Sequence, residues 1–237
     1  EAGQVDEAVA SYECSLALWE RLVREYPDNA NFRDNLARLD YNFGELLLER
    51  DAARARGRFE QAVEIFAAFL DPHGLDGEVP INFALSLNGK AQAEIALERF
   101  AEARQSLERA RERLESLFAE HASRVYVQQG LAANHNLFGE LDLRSGNAEE
   151  ALSEFHRAGG LLEPLVAADP RAHRYRSQWA TILRNTSQAQ RKLHRIDEAD
   201  ASLRRAIDAI EAIVEQAPEV ADYRELLASF RAELDCE

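Results

Sequence analysis

The chain has no methionine, and only two cysteines and six prolines in 237 residues. With no Met to start it, the sequence reads as a piece of a longer protein. Cys14 and Cys236 stand alone near opposite ends, which excludes a disulfide framework and suits a reducing, cytoplasmic setting. No apolar run reaches the roughly 18 residues needed to cross a bilayer, so no membrane-spanning helix is expected. Positive charge is also short: 28 Lys and Arg face 43 Asp and Glu, a formal net charge of −15. That balance disfavours non-specific binding to nucleic acid or to an anionic membrane.

The motifs of catalysis are missing too. There is no Gly-Lys-Ser/Thr phosphate loop, no Gly-x-Gly-x-x-Gly and no Gly-x-Ser-x-Gly. Six histidines are scattered at 73, 121, 135, 156, 173 and 194, without the spacing of a helical zinc site. Asp71, Asp76 and Glu78 lie near Gly74 and Gly77 but lack the alternating ligand order of a calcium loop. Acidic pairs such as Glu149-Glu150 and Asp197-Glu198 fall where helices start, where the N-terminal dipole favours them. No enzyme activity, cofactor or metal is expected of this chain.

What the sequence has is a period. Pro27…Phe32-Arg33…Leu36-Ala37 recurs as Pro170…Tyr175-Arg176…Trp179-Ala180 and as Pro218…Tyr223-Arg224…Leu227-Ala228. With Phe83-Ala84 and Leu131-Ala132 added, the alanines fall at 37, 84, 132, 180 and 228, at steps of 47 or 48. A fixed step of that size means stacked repeats. A second phrase pairs an Ala with an apolar residue four on and a small one three further, which puts all three on one helix face. It reads Ala8/Tyr12/Ser15, Ala62/Phe66/Phe69, Ala103/Leu107/Ala110, Ala151/Phe155/Ala158 and Ala199/Leu203/Ala206. A small residue precedes the last three by twelve: Ala91, Gly139 and Ser187. Gly44 precedes Ala62 by eighteen, which implies a six-residue insertion near 51–56 that stretches a turn.

These residues give expected helices at 4–26, 30–49, 59–70, 81–100, 101–120, 124–144, 148–167, 171–194, 197–216 and 219–234, with a loop at 71–80. Prolines precede Phe32, Tyr175 and Tyr223, which are placed to staple each helix pair onto the helix before it. Trp19 and Trp179 are expected in the core. Gly159-Gly160 lies inside a helical pattern and is expected to relieve crowding.

The small Gly44, Ala91, Gly139 and Ser187, followed by the Ala–aromatic/Leu–Ala series, resemble the tetratricopeptide repeat (TPR) pattern. TPR units usually run about 34 residues; repeats near 48 leave about four extra helical turns in each. The phrases EYPDNANFRDNLARLDYNFGELL and YRELLA resemble the long TPR tracts that accompany some bacterial serine/threonine protein kinases. The resemblance implies one all-α domain over 1–237, a right-handed superhelical array of antiparallel helix pairs. It would hold the second helix of a truncated repeat (4–26), full repeats at about 30–70, 81–120, 124–168 and 171–217, and a terminal helix (219–235).

The resemblance also implies non-catalytic recruitment of a protein or peptide along a concave face lined by each repeat's first helix. The residues matching that groove are Tyr41 and Glu45, Asn88 and Gln92, Asn136 and Glu140, and Arg184 and Gln188, with Arg38 and Arg191 a turn away. Asn, Gln and Arg at such positions suit a peptide backbone, which offers a donor and an acceptor at each residue. Glu45 and Glu140 argue against an acidic tail as the ligand. Two alternatives stand beside this reading: the regulatory or scaffold region of a larger signalling protein, such as a bacterial kinase, and self-association through open repeat ends.

Overall fold

The computed structural model describes residues 2–70 and 78–235. Among the described residues there are ten helices and no strand. The chain divides into two compact units, Glu1–His121 and Ala122–Glu237. The first unit holds α1 (Ala2–Glu25), α2 (Ala30–Leu47), α3 (Ala52–Ala67), α4 (Val79–Ala96) and α5 (Phe100–His121). The second holds α6 (Val125–Arg144), α7 (Ala148–Ala168), α8 (His173–Lys192), α9 (Ile196–Gln216) and α10 (Ala221–Asp235). Helices α2/α3, α4/α5, α6/α7 and α8/α9 pair as hairpins, each with a first and a second helix. Residues 71–77 of the expected loop lie outside the described residues, as does Cys236, while Cys14 is free and exposed.

Two expected boundaries move. Pro80, read as part of the loop, instead sits in the first turn of α4, where a missing N–H leaves no helical bond unmade. The supposed insertion at 51–56 is the start of α3. Asp51 caps it by accepting from the Arg54 N–H at 3.0 Å, and Ala52-Ala53-Arg54-Ala55-Arg56 are strong helix formers. No insertion exists. The position matching Ala103, Ala151 and Ala199 is Ala55, in steps of 48, so the α3 phrase is Ala55/Phe59/Ala62. All three are 0 % exposed, whereas Phe69 is only partly buried.

That corrected register exposes a second period, of two hairpins. In α2/α3 and α6/α7 a phenylalanine lies against a glycine. A Cβ built on Gly44 would stand 2.8 Å from the Phe59 ring, and one built on Gly139 would stand 2.4 Å from the Phe155 ring. Real Cβ atoms do not come that near. In α4/α5 and α8/α9 the same positions hold Ala91 with Leu107 and Ser187 with Leu203, all nearly or fully buried. The larger ring faces the smaller residue and the smaller Leu faces a residue with a Cβ, so volume is held nearly constant. Gly89 of α4 closes on the other side of Phe59, with a Cβ contact of 2.4 Å.

Polar pairs at the seam between first and second helix follow the same alternation. Arg58, Ser106, Glu154 and Ser202 occupy one position of the second helices, at steps of 48. In α2/α3 Arg58 donates to the buried Asp40 at 3.1 Å, and in α6/α7 Glu154 lies 2.6 Å from His135. The ionisable partners have changed sides. In α4/α5 and α8/α9 the serines donate to Glu94 and Gln190, each at 2.8 Å.

The stapling aromatics are seen at Phe32, whose ring meets Trp19 of α1 and Tyr26, the residue after it, edge-on at 6.0 and 5.9 Å. Trp19 and Trp179 are only partly buried, packed against the core rather than inside it. Ala37, Ala84, Ala132 and Ala180 are 0 % exposed, whereas Ala228 on α10 is exposed. Gly159-Gly160 relieves no crowding: a Cβ on Gly160 would meet nothing within 4 Å, and one on Gly159 only Ile182 at 3.9 Å.

Three hairpin turns share one backbone solution. Glu98, Gly146 and His194 follow their first helices with φ of 59°, 86° and 60°. The next residue's N–H then reaches back to close the helix: Arg99 to the Glu94 carbonyl at 2.8 Å, Asn147 to Asp142 at 2.8 Å and Arg195 to Gln190 at 2.9 Å. This left-handed C-terminal cap favours glycine, which stands at one of the three turns. The α2/α3 turn is one residue shorter, with eleven residues from Gly44 to Ala55 against twelve elsewhere, and has no positive φ. We predict that Glu98→Gly and His194→Gly each stabilise the chain by about 0.5–1 kcal/mol. Chemical denaturation checks this; an unchanged or lowered midpoint for both would contradict the cap.

Candidate functional site

Two clefts open between neighbouring first helices, one in each unit. In the first unit Arg38, Tyr41 and Asn42 of α2 face Asn82 and Leu85 of α4 over the Phe66 ring of α3, around about 180 Å³. In the second, Gln129, Ala133 and Asn136 of α6 face Gln178, Thr181 and Ile182 of α8 over Leu162 of α7, around about 140 Å³. The positions correspond: Phe66 to Leu162, Asn82 to Gln178 and Leu85 to Thr181 are each 96 residues apart. Both clefts therefore follow from the two-hairpin period.

The groove residues named from the sequence do not share one environment. Arg38 makes an ion pair with Asp34 at 2.9 Å within α2 and another with Glu78, the residue before α4. Tyr41 is half-buried, its ring edge-on to Phe59 at 5.7 Å. Asn88 is 5 % exposed and belongs to the interior of α4 rather than to its outer face. Glu45 and Gln92 are exposed and stand at matching positions of α2 and α4.

In the second unit the named residues engage one another. Asn136 donates to Glu140 at 3.0 Å, and Asn185 of α8 donates to Asn136 at 2.9 Å and to Glu140 at 3.3 Å. Burial pushes the Glu140 carboxyl up, against the hydrogen bonds from Asn136 and Asn185 and the charges of Arg144 and Arg184. One helix further, Arg184 donates to Glu233 of α10 at 2.6 Å, and Gln188 reaches the same carboxylate at 3.5 Å. These bonds form a polar ladder across α6, α8 and α10. Arg191 is not part of it; it turns to Asp200 of α9, at 2.9 Å, inside its own hairpin.

Sequence reasoning missed Asn185 and Glu233 in the ladder and Asn42, Asn82 and Leu85 in the first cleft. Asn82 and Leu85 carried a signal, their 96-residue correspondence to Gln178 and Thr181, and Asn42 carried none. The ladder partners carried none, because pairing between helices of different hairpins leaves no periodic trace. Among the described residues no group of three His, Cys, Asp or Glu is placed to hold a metal ion, and no helix is long and apolar enough to cross a membrane.

No family model matches the sequence. No curated protein matches it either. Solved structures do. BtubC (BKLC) from P. vanneervenii is 16 % identical, with a TM-score of 0.62 over 98 % of this chain and 93 % of that one. MamA is 13 % identical, with a TM-score of 0.51 over 91 % and 98 %. Human IFIT1, solved as a dimer with m7Gppp-AAAA, is 20 % identical, with a TM-score of 0.53 over 94 % of this chain and 42 % of its own. At these identities the likeness concerns architecture alone. It shows an all-α helical-repeat fold of the TPR-like solenoid type.

The buried seam has a pH signature. Burial raises the Asp40 carboxyl to about 6, and Arg58 opposes the shift without cancelling it. An unfolded Asp titrates near 3.9, so the folded chain holds the extra proton between about pH 4 and 6. Asp40 therefore favours the fold most below pH 4. That contribution falls as pH rises through 6 and is constant above it. We predict that the stability of Asp40→Asn relative to the parent rises from pH 4 to 6 and then levels. Urea midpoints of both proteins at pH 4, 5, 6 and 7 check this; a constant difference would contradict it.

Proposed function

We propose that the chain is a non-catalytic interaction module that recruits a peptide or protein along the faces that the first helices form in each unit. The observation that carries this reading is the recurrence of a cleft between first helices at the same position in both units, rimmed by Arg, Asn, Gln and Thr over an apolar floor. Such a combination suits a partner that presents side chains to the floor and backbone polar groups to the rim. The helical-repeat fold agrees with an interaction or scaffold role. The 47–48-residue step runs through the junction at 121–122 without a break, which supports one repeat domain over 1–237.

Formal charge of −15 favours a neutral or basic partner in the encounter. It also argues against nucleic acid, although IFIT1 shows the fold type beside a capped RNA. Association with a signalling enzyme such as a bacterial kinase, and a cytoplasmic setting, rest on the sequence resemblance and the cysteine usage.

A displayed random-peptide library selected against this chain tests the proposal. Binders are expected to lose about tenfold or more in affinity to Glu45→Lys with Gln92→Lys, two exposed first-helix positions. They are expected to keep it in Glu108→Lys with Glu115→Lys, two exposed positions on α5. Binders that ignore the first pair and fail with the second would move recognition to the second helices, and no binders at all would refute the module.

A further inference from the structure

The cleft of the first unit carries a polar atom that the chain itself leaves unserved. Its floor is the Phe66 ring, 1 % exposed, and Leu85 lines its α4 wall. On the rim, the Arg38 guanidinium is committed to Asp34 and Glu78. The Asn82 side-chain Nδ2 is buried and has no hydrogen-bond partner. A buried N–H without an acceptor is unfavourable, and an acceptor from outside the chain would satisfy it.

The second unit builds the same position differently. There Gln178 stands where Asn82 does, and it accepts from Gln129 at 3.2 Å. The first unit's counterpart of Gln129 is Asp34, 95 residues earlier, and its carboxylate faces Arg38 instead. Asn82 also has a shorter side chain than Gln. Asn82 lines a cleft with an apolar floor, and its buried donor has no acceptor within the chain.

We propose that this cleft takes one aliphatic side chain of an extended peptide, whose neutral main-chain carbonyl accepts from Asn82 Nδ2. This rests on the first-helix reading above and names what that face selects. About 180 Å³ is the scale of one mid-sized apolar group; an engineered cavity of about 150 Å³ takes a benzene-sized ligand. The acceptor is neutral because Asp34 and Glu78 already balance Arg38 and would repel a carboxylate. A cationic group is not selected, because the Asn82 N–H needs an acceptor. The floor of Phe66 and Leu85 supplies the apolar contact, and the amide fixes the direction of the peptide.

Titration of the isotope-labelled chain, followed by NMR, tests this with three probes: N-acetyl-leucine N-methylamide, N-acetyl-glycine N-methylamide and N-acetyl-leucine as its carboxylate. The leucine diamide is expected to shift the Asn82 side-chain NH2 and the Leu85 methyls, and to bind about tenfold or more tightly than the other two. Leu85→Trp, which fills the cleft, is expected to abolish the effect. Asn82→Leu is expected to weaken binding about tenfold while the melting temperature holds or rises, since it removes an unpaired donor.

No Asn82 shift up to the solubility limit, or equal binding of all three probes, would overturn the proposal. So would a long-lived water on Asn82 that the diamide does not displace. Library-selected peptides that need Glu45 and Gln92 but bind Leu85→Trp normally would overturn this pocket and leave the first-helix function standing. An Asn82 shift with no library binders would keep the pocket and refute the module.

Discussion

The hairpins depend on a side chain that is absent. The Phe155 ring occupies space that any Cβ at Gly139 would need, and Phe59 does the same between Gly44 and Gly89. An aromatic ring buried this way contributes roughly 1.5–3 kcal/mol, but its larger effect is geometric. It fixes how near two helices approach and which residues of each face the other. Where the ring is replaced by Leu107 or Leu203, the opposite position regains a Cβ as Ala91 or Ser187. The two solutions alternate, so the array repeats every two hairpins rather than every one.

The clefts and the seam chemistry follow from that alternation. Neighbouring first helices are spaced by the ring or leucine behind them, and a cleft opens over Phe66 and again over Leu162. The buried pairs at the seam obey the same order, with Asp40–Arg58 and His135–Glu154 in the ring-bearing hairpins and serine bonds in the others. Leaving one partner of a buried polar pair unsatisfied costs more than an exposed pair contributes, so these seams hold each first helix to its own second helix. The two clefts then differ in their rims rather than in their position: paired glutamines in one, a buried amide without an acceptor in the other.

Much of this was legible in the chain. The alanine step of 47–48, the helix count and the small residues of the first helices all appear in the sequence because burial acts on every repeat alike. The α3 register is ambiguous in the sequence, because Ala62/Phe66/Phe69 has the right spacing and Phe66 is also buried. What separates the two readings is the step of 48 from Ala55 to Ala103, together with the helix-forming Ala and Arg residues after Asp51. Position along α4 points Asn88 to the groove, yet its side chain is buried, whereas Tyr41 lines the first cleft while leaning on Phe59. Position along a helix gives the face; it does not give the size of what fills the opposite side. The Asn136–Asn185 and Arg184–Glu233 bonds depend on distances between hairpins, which periodicity does not encode.

The most direct test of this account is a double-mutant cycle on Gly139 and Phe155, read by urea denaturation. Size matching predicts that Gly139→Ala alone costs about 1–3 kcal/mol by overpacking, and that Phe155→Leu alone also destabilises. The double variant recreates the Ala–Leu pairing found at Ala91 and Leu107 and should recover about 1 kcal/mol or more of the summed loss. Strict additivity would mean that the ring and the glycine do not constrain each other, and the two-hairpin period would lose its physical basis.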